Sequence, residues 1–261
     1  ERLTFLGGVR HDQYSTFGGA TNPRLALIYD LFDDTTLKLL YGRAFRAPNA
    51  YELYYHDGGR TQKASGDLDP ETITTYEVVL ERQLTRRFRA ALSGFNYVME
   101  DLIEQYVDPA DGLLVFRNLS EVEATGVELA LHGRWGGGLR SRASYSYVEA
   151  EDQTTGAGLA NSPKHLAKLN VLAPLARERL FAGVEVLYDS KARTLSGSYA
   201  DDFVLTNLTL TYVSASRRLE VAASLYNLFD VDYAYPGFGE HVQETIAQDG
   251  RTFRLGLTYR F

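Results

Sequence analysis

The decapeptide YELYYHDGGR, residues 51–60, gathers the side chains best suited to hold a ligand: Tyr51, Tyr54, Tyr55, His56 and Arg60. Tyrosine offers a flat apolar face with a polar rim, and arginine offers a cation that is drawn to aromatic faces. The combination suits a planar or catecholate ligand. A second group, YAYPGFGEH at residues 233–241, carries Tyr233, Tyr235, Phe238 and His241. Its Pro and Gly residues fix a compact turn, which either presents the aromatics or buries them as a rim against a neighbouring loop. Asp57, Asp67 and Asp69 lack the Asp-x-Asp-x-Asp-Gly spacing of a calcium loop.

The same residue types give no sign of catalysis. There is no Gly-x-Ser-x-Gly elbow, and His11, His56, His132, His165 and His241 each stand apart from an obvious nucleophile. The chain has no Cys, which removes thiolate metal sites, disulfides and Cys nucleophiles together. These residues give no ground for an enzyme. With a net charge of -7 and no run of clustered Lys and Arg, no nucleic-acid partner is expected.

What must position these loops is β-structure. The 18 Tyr and 13 Phe skew the composition toward residues favoured on pleated surfaces. No apolar run of about 18 residues would form a transmembrane helix, but a spanning strand needs only about 9 to 11 residues and alternates its two faces. The closing segment TFRLGLTYRF does this, with Phe253, Leu255, Leu257, Tyr259 and Phe261 on one face and Arg254 and Arg260 on the other. Period two recurs through Leu25 to Leu31, Leu37 to Tyr41, Tyr76 to Leu80, Val127 to Leu131, His165 to Val171, Leu208 to Tyr212 and Leu219 to Leu225. The pattern predicts about a dozen strands and no comparable helix.

The connections alternate in length. Short ones are expected at 33–35, 84–87, 136–138, 175–178 and 213–217, with longer ones at 13–22, 44–72, 105–121, 150–163, 195–202 and 229–251. That alternation characterises an up-and-down outer-membrane barrel with short periplasmic turns and longer outer loops. Opposite the apolar stripe lie Lys38, Glu77, Glu81, Glu128, Arg140, Arg142, Lys168 and Glu220, which suit a wet interior. Phe5, Tyr29, Tyr41, Tyr76, Tyr212, Tyr259 and Phe261 are read as aromatic girdles at the bilayer interfaces.

An ordered set of motifs resembles the TonB-dependent outer-membrane receptors. Phe45-Arg46-Ala47-Pro48 is followed by Glu52-Leu53-Tyr54. Next come GDLDPE and a Tyr-Glu strand, the Arg117-Asn118-Leu119 and Gly126-Val127-Glu128 pair, Asn161-Ser-Pro-Lys-His165, and Tyr226-Asn-Leu-Phe-Asp230 with Tyr233. Gly66-Asp67-Leu68-Asp69 departs from the Asn-Pro-Asn-Leu often found in the family.

The resemblance implies an all-β, antiparallel up-and-down transmembrane barrel. Residues 1–261 would be the C-terminal dozen strands of a barrel of about 22, with the plug domain, the TonB box and the earlier strands lying before Glu1. It further implies uptake of a scarce nutrient, foremost an iron–siderophore complex, with haem or cobalamin as other substrates. A complete pore of about a dozen strands or an autotransporter-type barrel is the alternative. Implied partners are the TonB–ExbB–ExbD complex, engaged through the plug, the barrel assembly machinery, and outer-membrane lipid and lipopolysaccharide. The terminal Tyr259 and Phe261 match the family's assembly signal. His56 falls where haem receptors of the family carry an iron-ligating His, so haem or an iron–siderophore is the expected transported ligand, with no resident cofactor and no resident metal.

Overall fold

The structure, a computed structural model, describes residues 2–15, 17–176, 179–238 and 241–261, so parts of the expected 175–178 turn and of the 233–241 group lie outside them. Twelve principal strands follow one another: β1 Leu3–Tyr14, β2 Gly18–Phe32, β3 Thr35–Arg46, β4 Glu71–Thr85, β5 Phe88–Val107, β6 Leu114–Arg134, β7 Arg140–Asp152, β8 His165–Ala176, β9 Leu180–Asp189, β10 Phe203–Val213, β11 Leu219–Tyr226 and β12 Thr252–Tyr259. The ladders β1–β2–β3 and β7–β8–β9–β10–β11–β12 are antiparallel, and neighbours in the sheet are neighbours in sequence. The fold is the all-β up-and-down arrangement that the alternation implies.

The chain divides into two compact units. The first comprises Glu1–Val79, Gly94–Thr125 and Glu149–Gly158; the second comprises Leu80–Ser93, Gly126–Val148 and Leu159–Phe261. In the first, register places Phe5 opposite Leu27 and Leu27 opposite Leu39, while Gly8 faces Arg24 and Arg24 faces Gly42. In the second, Val171, Val184, Leu208, Leu225 and Phe253 form a row crossing five strands, and Arg142, Asn170, Glu185 and Asn207 form a row on the opposite face. A slip of one residue would exchange the two faces, so the apolar requirement of one face fixes the register.

The apolar face is turned outward. Phe253, Leu255 and Leu257 are 68%, 64% and 71% exposed, where a water-soluble sheet would bury such a row. The buried apolar residues instead lie near the long-connection ends of the strands: Leu53, Leu68, Val115 and Val122 in the first unit, and Ala192, Ala200, Phe203 and Leu205 in the second. Of the expected girdle residues, Tyr29, Tyr212 and Tyr259 lie near the short-turn ends of β2, β10 and β12. Tyr41 and Tyr76 pair at 5.2 Å between ring centres, and Tyr259 meets Phe261 at 5.8 Å. Trp135 and Phe88 add an edge-to-face pair at 4.7 Å beside two short turns.

Two expectations require correction. The expected long connection 13–22 is mostly paired strand: His11 lies opposite Thr21 and Tyr14 opposite Gly18, so β1 and β2 continue through it. Likewise β5 runs to Val107 and β6 starts at Leu114, which shortens the expected 105–121 loop to residues 108–113. These segments carry turn residues such as Gly18, Gly19, Pro109 and Gly112 and no clean alternation, yet most of their residues still complete a ladder. A helix that the periodicity does not announce, α1 Ala50–Tyr54, lies in the 44–72 connection.

Candidate functional site

The first group is built on the Phe-Arg-Ala-Pro box. Phe45 packs with Tyr14 and Phe17 at ring separations of 5.9 and 6.1 Å, anchoring the end of β3. Past Ala47 and Pro48, Asn49 caps α1: its side chain accepts the Glu52 amide at 3.0 Å, and Glu52 accepts the Asn49 amide at 2.8 Å. This reciprocal box lets five residues hold a helix that is too short to persist alone.

Arg46 locks that helix to the sheet. Its Nη1 donates to both Glu52 oxygens at 2.9 and 3.1 Å, and its Nε and Nη2 donate to the two Glu71 oxygens at 2.5 and 2.6 Å. Glu71 also accepts the Ile103 amide at 2.9 Å, so one guanidinium ties α1, β4 and β5 together. Arg46 and Glu52 are thus scaffold, and Leu53, 7% exposed, is the buried face of α1.

Beyond α1, Asp57 closes the turn. Its carboxylate accepts from the Thr61 hydroxyl and from the backbone amides of Thr61, Gln62 and Arg60, and these bonds, the Thr61 hydroxyl foremost, hold it well below the usual carboxylate range. Residues 61–63 then pair with Leu114 through Leu114 N to Thr61 O at 2.8 Å and Lys63 N to Leu114 O at 3.0 Å. Lys63 bridges Asp108 and Asp111 at 2.7 and 2.8 Å and is raised by them, Asp108 first; Asp108 is lowered chiefly by Lys63. Asn118 of the Arg-Asn-Leu box accepts the Asp69 amide and donates to the carbonyls of Asp69 and Asp101, which gives a physical reason for that box to accompany GDLDPE.

The result is a rigid ledge of exposed aromatics. Tyr51 stacks on Tyr55 at 4.5 Å and meets Phe116 edge-on at 5.8 Å, with Tyr51 50% and Tyr55 42% exposed. Arg117 lies over the Tyr106 ring at 5.1 Å while bonding Asp108 at 3.0 Å. Gln62, 4% exposed, accepts from Tyr51 Oη and Gln105 Nε2 at 3.4 and 3.3 Å, and its own Nε2 is a buried donor with no acceptor among the described residues. Tyr54 and the Arg60 side chain are exposed, and the Arg60 guanidinium makes no ion pair among the described residues. His56 is exposed with Nδ1 accepting the Gly58 amide at 3.3 Å, which in the neutral ring leaves the proton on Nε2. Phe116, Tyr106 and Gln62 were not singled out in the sequence; the adjacent Arg-Asn-Leu box was the signal for Phe116.

The second group lies in the other unit. Tyr233 and Tyr235 pack against the buried Phe203 at 4.7 and 5.5 Å, so these two form a half-buried rim. Burial first, then Asp189, raises the Tyr235 hydroxyl above its ordinary range. Tyr235 belongs to a hairpin of Ala234–Pro236 with Thr245–Ala247. Phe238 and His241, both exposed, are joined by the Phe238 amide donating to His241 Nδ1 at 3.1 Å. Asn227 of the Tyr-Asn-Leu-Phe-Asp box exchanges two bonds with Val231, at 2.8 and 2.9 Å, and turns the chain out of β11.

Residues 1–228 match the family described as "TonB dependent receptor-like, beta-barrel". The iron-regulated outer membrane virulence protein of Vibrio cholerae is 28% identical over the whole chain, which covers 42% of that relative. The vitamin B12 transporter BtuB of Photobacterium profundum is 26% identical over 98% of the chain and 40% of its own length. The chain thus spans about two fifths of the length of these curated relatives. The siderophore receptor PirA from Acinetobacter baumannii shares the fold, with a TM-score of 0.82 at 19% identity over the whole chain and 44% of that structure.

Proposed function

The chain belongs to the TonB-dependent receptor-like β-barrels of Gram-negative outer membranes, and from that premise we propose that the complete protein takes up a scarce nutrient, foremost an iron–siderophore complex of catecholate type. The observation that carries this reading is the stacked Tyr51–Tyr55 ledge with Phe116 at its side, held by the Arg46 and Asp57 bonds and flanked in sequence by the exposed Arg60. Catecholates bound to ferric iron are flat and anionic, so aromatic faces and a cation complement them without a protein metal ligand. The buried Nε2 of Gln62 offers a donor to a ligand oxygen. Haem is the weaker candidate in this geometry, because His56 must give up the Gly58 amide before a ring nitrogen can ligate iron. Tyr54, Phe238 and His241 are further exposed loop contacts in this proposal, while Tyr233 and Tyr235 shape the rim.

In this reading energy for release arrives from TonB–ExbB–ExbD through a plug in the lumen. Tyr259 and Phe261 serve recognition by the assembly machinery, and lipid with lipopolysaccharide surrounds the apolar face. The curated relatives named above are a transporter and an outer-membrane virulence protein, and the chain is read as a receptor and not an enzyme. The test is ferric-catecholate binding to the complete receptor, with Tyr51→Ala and Arg60→Ala each expected to weaken it about fivefold, as the loss of roughly 1 kcal/mol requires. Unchanged affinity in both variants would remove the ledge as the ligand site.

A further inference from the structure

In the second unit, the end of β9 buries a carboxylate oxygen that nothing satisfies. Asp189 closes that strand, 7% exposed, and its Oδ1 has no hydrogen-bond partner among the described residues. In register it lies between Leu166 of β8 and the buried Phe203 of β10, so the residues directly across from it bring no donor side chain. Against Phe203 packs the segment leading into the hairpin of Ala234–Pro236 with Thr245–Ala247, through the rings of Tyr233 and Tyr235, and the charge of Asp189 reaches the Tyr235 hydroxyl. The same hairpin is tied to the 190–202 connection by Ser198 Oγ, which donates to Glu244 at 3.0 Å. An ionised carboxylate under such an aromatic cover loses water on its buried oxygen and gains no partner there.

We propose that the 234–247 hairpin is a proton-controlled strap, which docks on Phe203 while Asp189 is neutral and loosens when Asp189 ionises. The direction follows from the cover. Docked, the carboxyl group is cut off from water; undocked, it is hydrated, so a proton binds the docked form more tightly and docking tightens in acid. The charged groups around it do not supply this sign themselves. Lys168 of β8 attracts the ionised form without bonding it, and Glu185, on the same face of β9, is engaged by Asn207 Nδ2 at 2.9 Å. Facing it from β10 are Phe203 and Leu205, while Tyr188 and His165 occupy the opposite face and the exposed Lys191 and Asp201 pair with each other. On the hairpin itself acid works the other way: a protonated His241 gives up the Phe238 amide, and a protonated Glu244 loses its charge-assisted bond from Ser198. Tightening in acid is therefore a signature of Asp189.

These 261 residues contain no Cys, so a single introduced thiol reports on the strap. Ala200→Cys places it at a buried position that adjoins Ala234–Pro236, and Val242→Cys, at a fully exposed position, is the reference for the thiol chemistry. In the complete receptor in lipid vesicles, the labelling rate at 200 divided by that at 242, with an activated disulfide that reacts in acid, should rise by about fivefold or more from about pH 4 to about pH 7. With Asp189→Asn the ratio should stay at the low value throughout, because the amide carries no charge to uncover. A flat ratio in wild type, or one that rises in acid, overturns the proposal. So does faster labelling of Asp189→Asn than of wild type at about pH 7, which would mean that the ionised carboxylate holds a partner and pins the hairpin down. Heat-modifiable migration on a gel checks folding, and should Asp189→Asn not fold, the sign of the wild-type response decides. The strap rests on the receptor reading only for the ligand that a loop carrying Phe238 and His241 admits. Ferric-catecholate binding is therefore scored separately: labelling that follows Asp189 in a receptor that binds no catecholate defeats that reading and leaves the strap standing.

Discussion

Arg46 shows how one side chain of a recognisable motif can be structural while its neighbours remain available to a ligand. It is partly exposed, so its ion pairs are screened, but its fork satisfies two carboxylates on separate elements. Arg46→Gln is expected to destabilise the 47–70 loop by about 1–2 kcal/mol, read as protease cleavage in that loop faster by roughly fivefold to thirtyfold. Arg46→Lys should recover only part of this, since a point charge cannot bridge both partners. The loop is also pH-sensitive in a definite sense. Asp57 is lowered from its ordinary 3.8, so its contribution is fully present above that pH and is lost on acidification below it. Lys63 is raised from 10.5, so its contribution is present below that value and is lost as pH climbs past its folded pKa. Cleavage in the loop should therefore be slowest across the interval between these values and accelerate on both sides; Asp57→Asn should shrink the acid limb to what the lowered Asp108 and Asp111 still contribute, and leave the alkaline limb unchanged. Of this arrangement the sequence disclosed the motif and the aromatic residues. It did not disclose that Gln105, Asp108, Phe116 and Arg117 complete the ledge, because those contacts join positions about fifty residues apart.

At the scale of elements, legibility followed the solvent on each face. Where one face is apolar, as from Phe253 to Tyr259 or Leu25 to Tyr29, the alternation gave both strand and register. Where apolar and polar residues do not alternate cleanly, as in Asp12 to Ala20 or at the end of β5, the ladder still continues by backbone bonding and residue type gives no period to read. The helix α1 was not legible, since five residues are too few for a helical period and only the structure shows Asn49 and Glu52 closing a capping box. The hairpin 234–247 depends on a single glycine in a comparable way. A Cβ at Gly237 would collide with the Gln243 carbonyl oxygen, a backbone atom that cannot rotate aside, while only touching His241 Cβ at 3.4 Å. Gly237→Ala should therefore force the hairpin strands apart at a cost of about 1–3 kcal/mol. Hydrogen exchange at Gly237, whose amide donates to the Glu244 carbonyl at 2.8 Å, should quicken, while exchange in β8 and β9 stays at the wild-type rate.

For the whole molecule, the decisive property is the inversion of exposure: large apolar side chains stand outward and the polar row lies opposite. Exposure in water and exposure to lipid have opposite consequences for substitution, and that difference can be measured. Leu169 lies on the apolar face of β8 between Ala143 and Val186 and is 41% exposed. For a soluble sheet, replacing so exposed a residue by Arg would change stability by about 0.5 kcal/mol or less. In a bilayer the same change places a charge in hydrocarbon, and Leu169→Arg should cost about 2–4 kcal/mol. The neighbouring Lys168 lies on the opposite face, across from Ser144 and Leu187 and in line with Asn170, so Lys168→Gln should cost little. Equilibrium unfolding of the complete receptor from lipid vesicles measures both, and the contrast between adjacent positions controls for any general effect of altering β8. A large loss at 169 beside a small one at 168 follows from a strand with lipid on one side and an aqueous lumen on the other; equal small losses would contradict the membrane orientation itself.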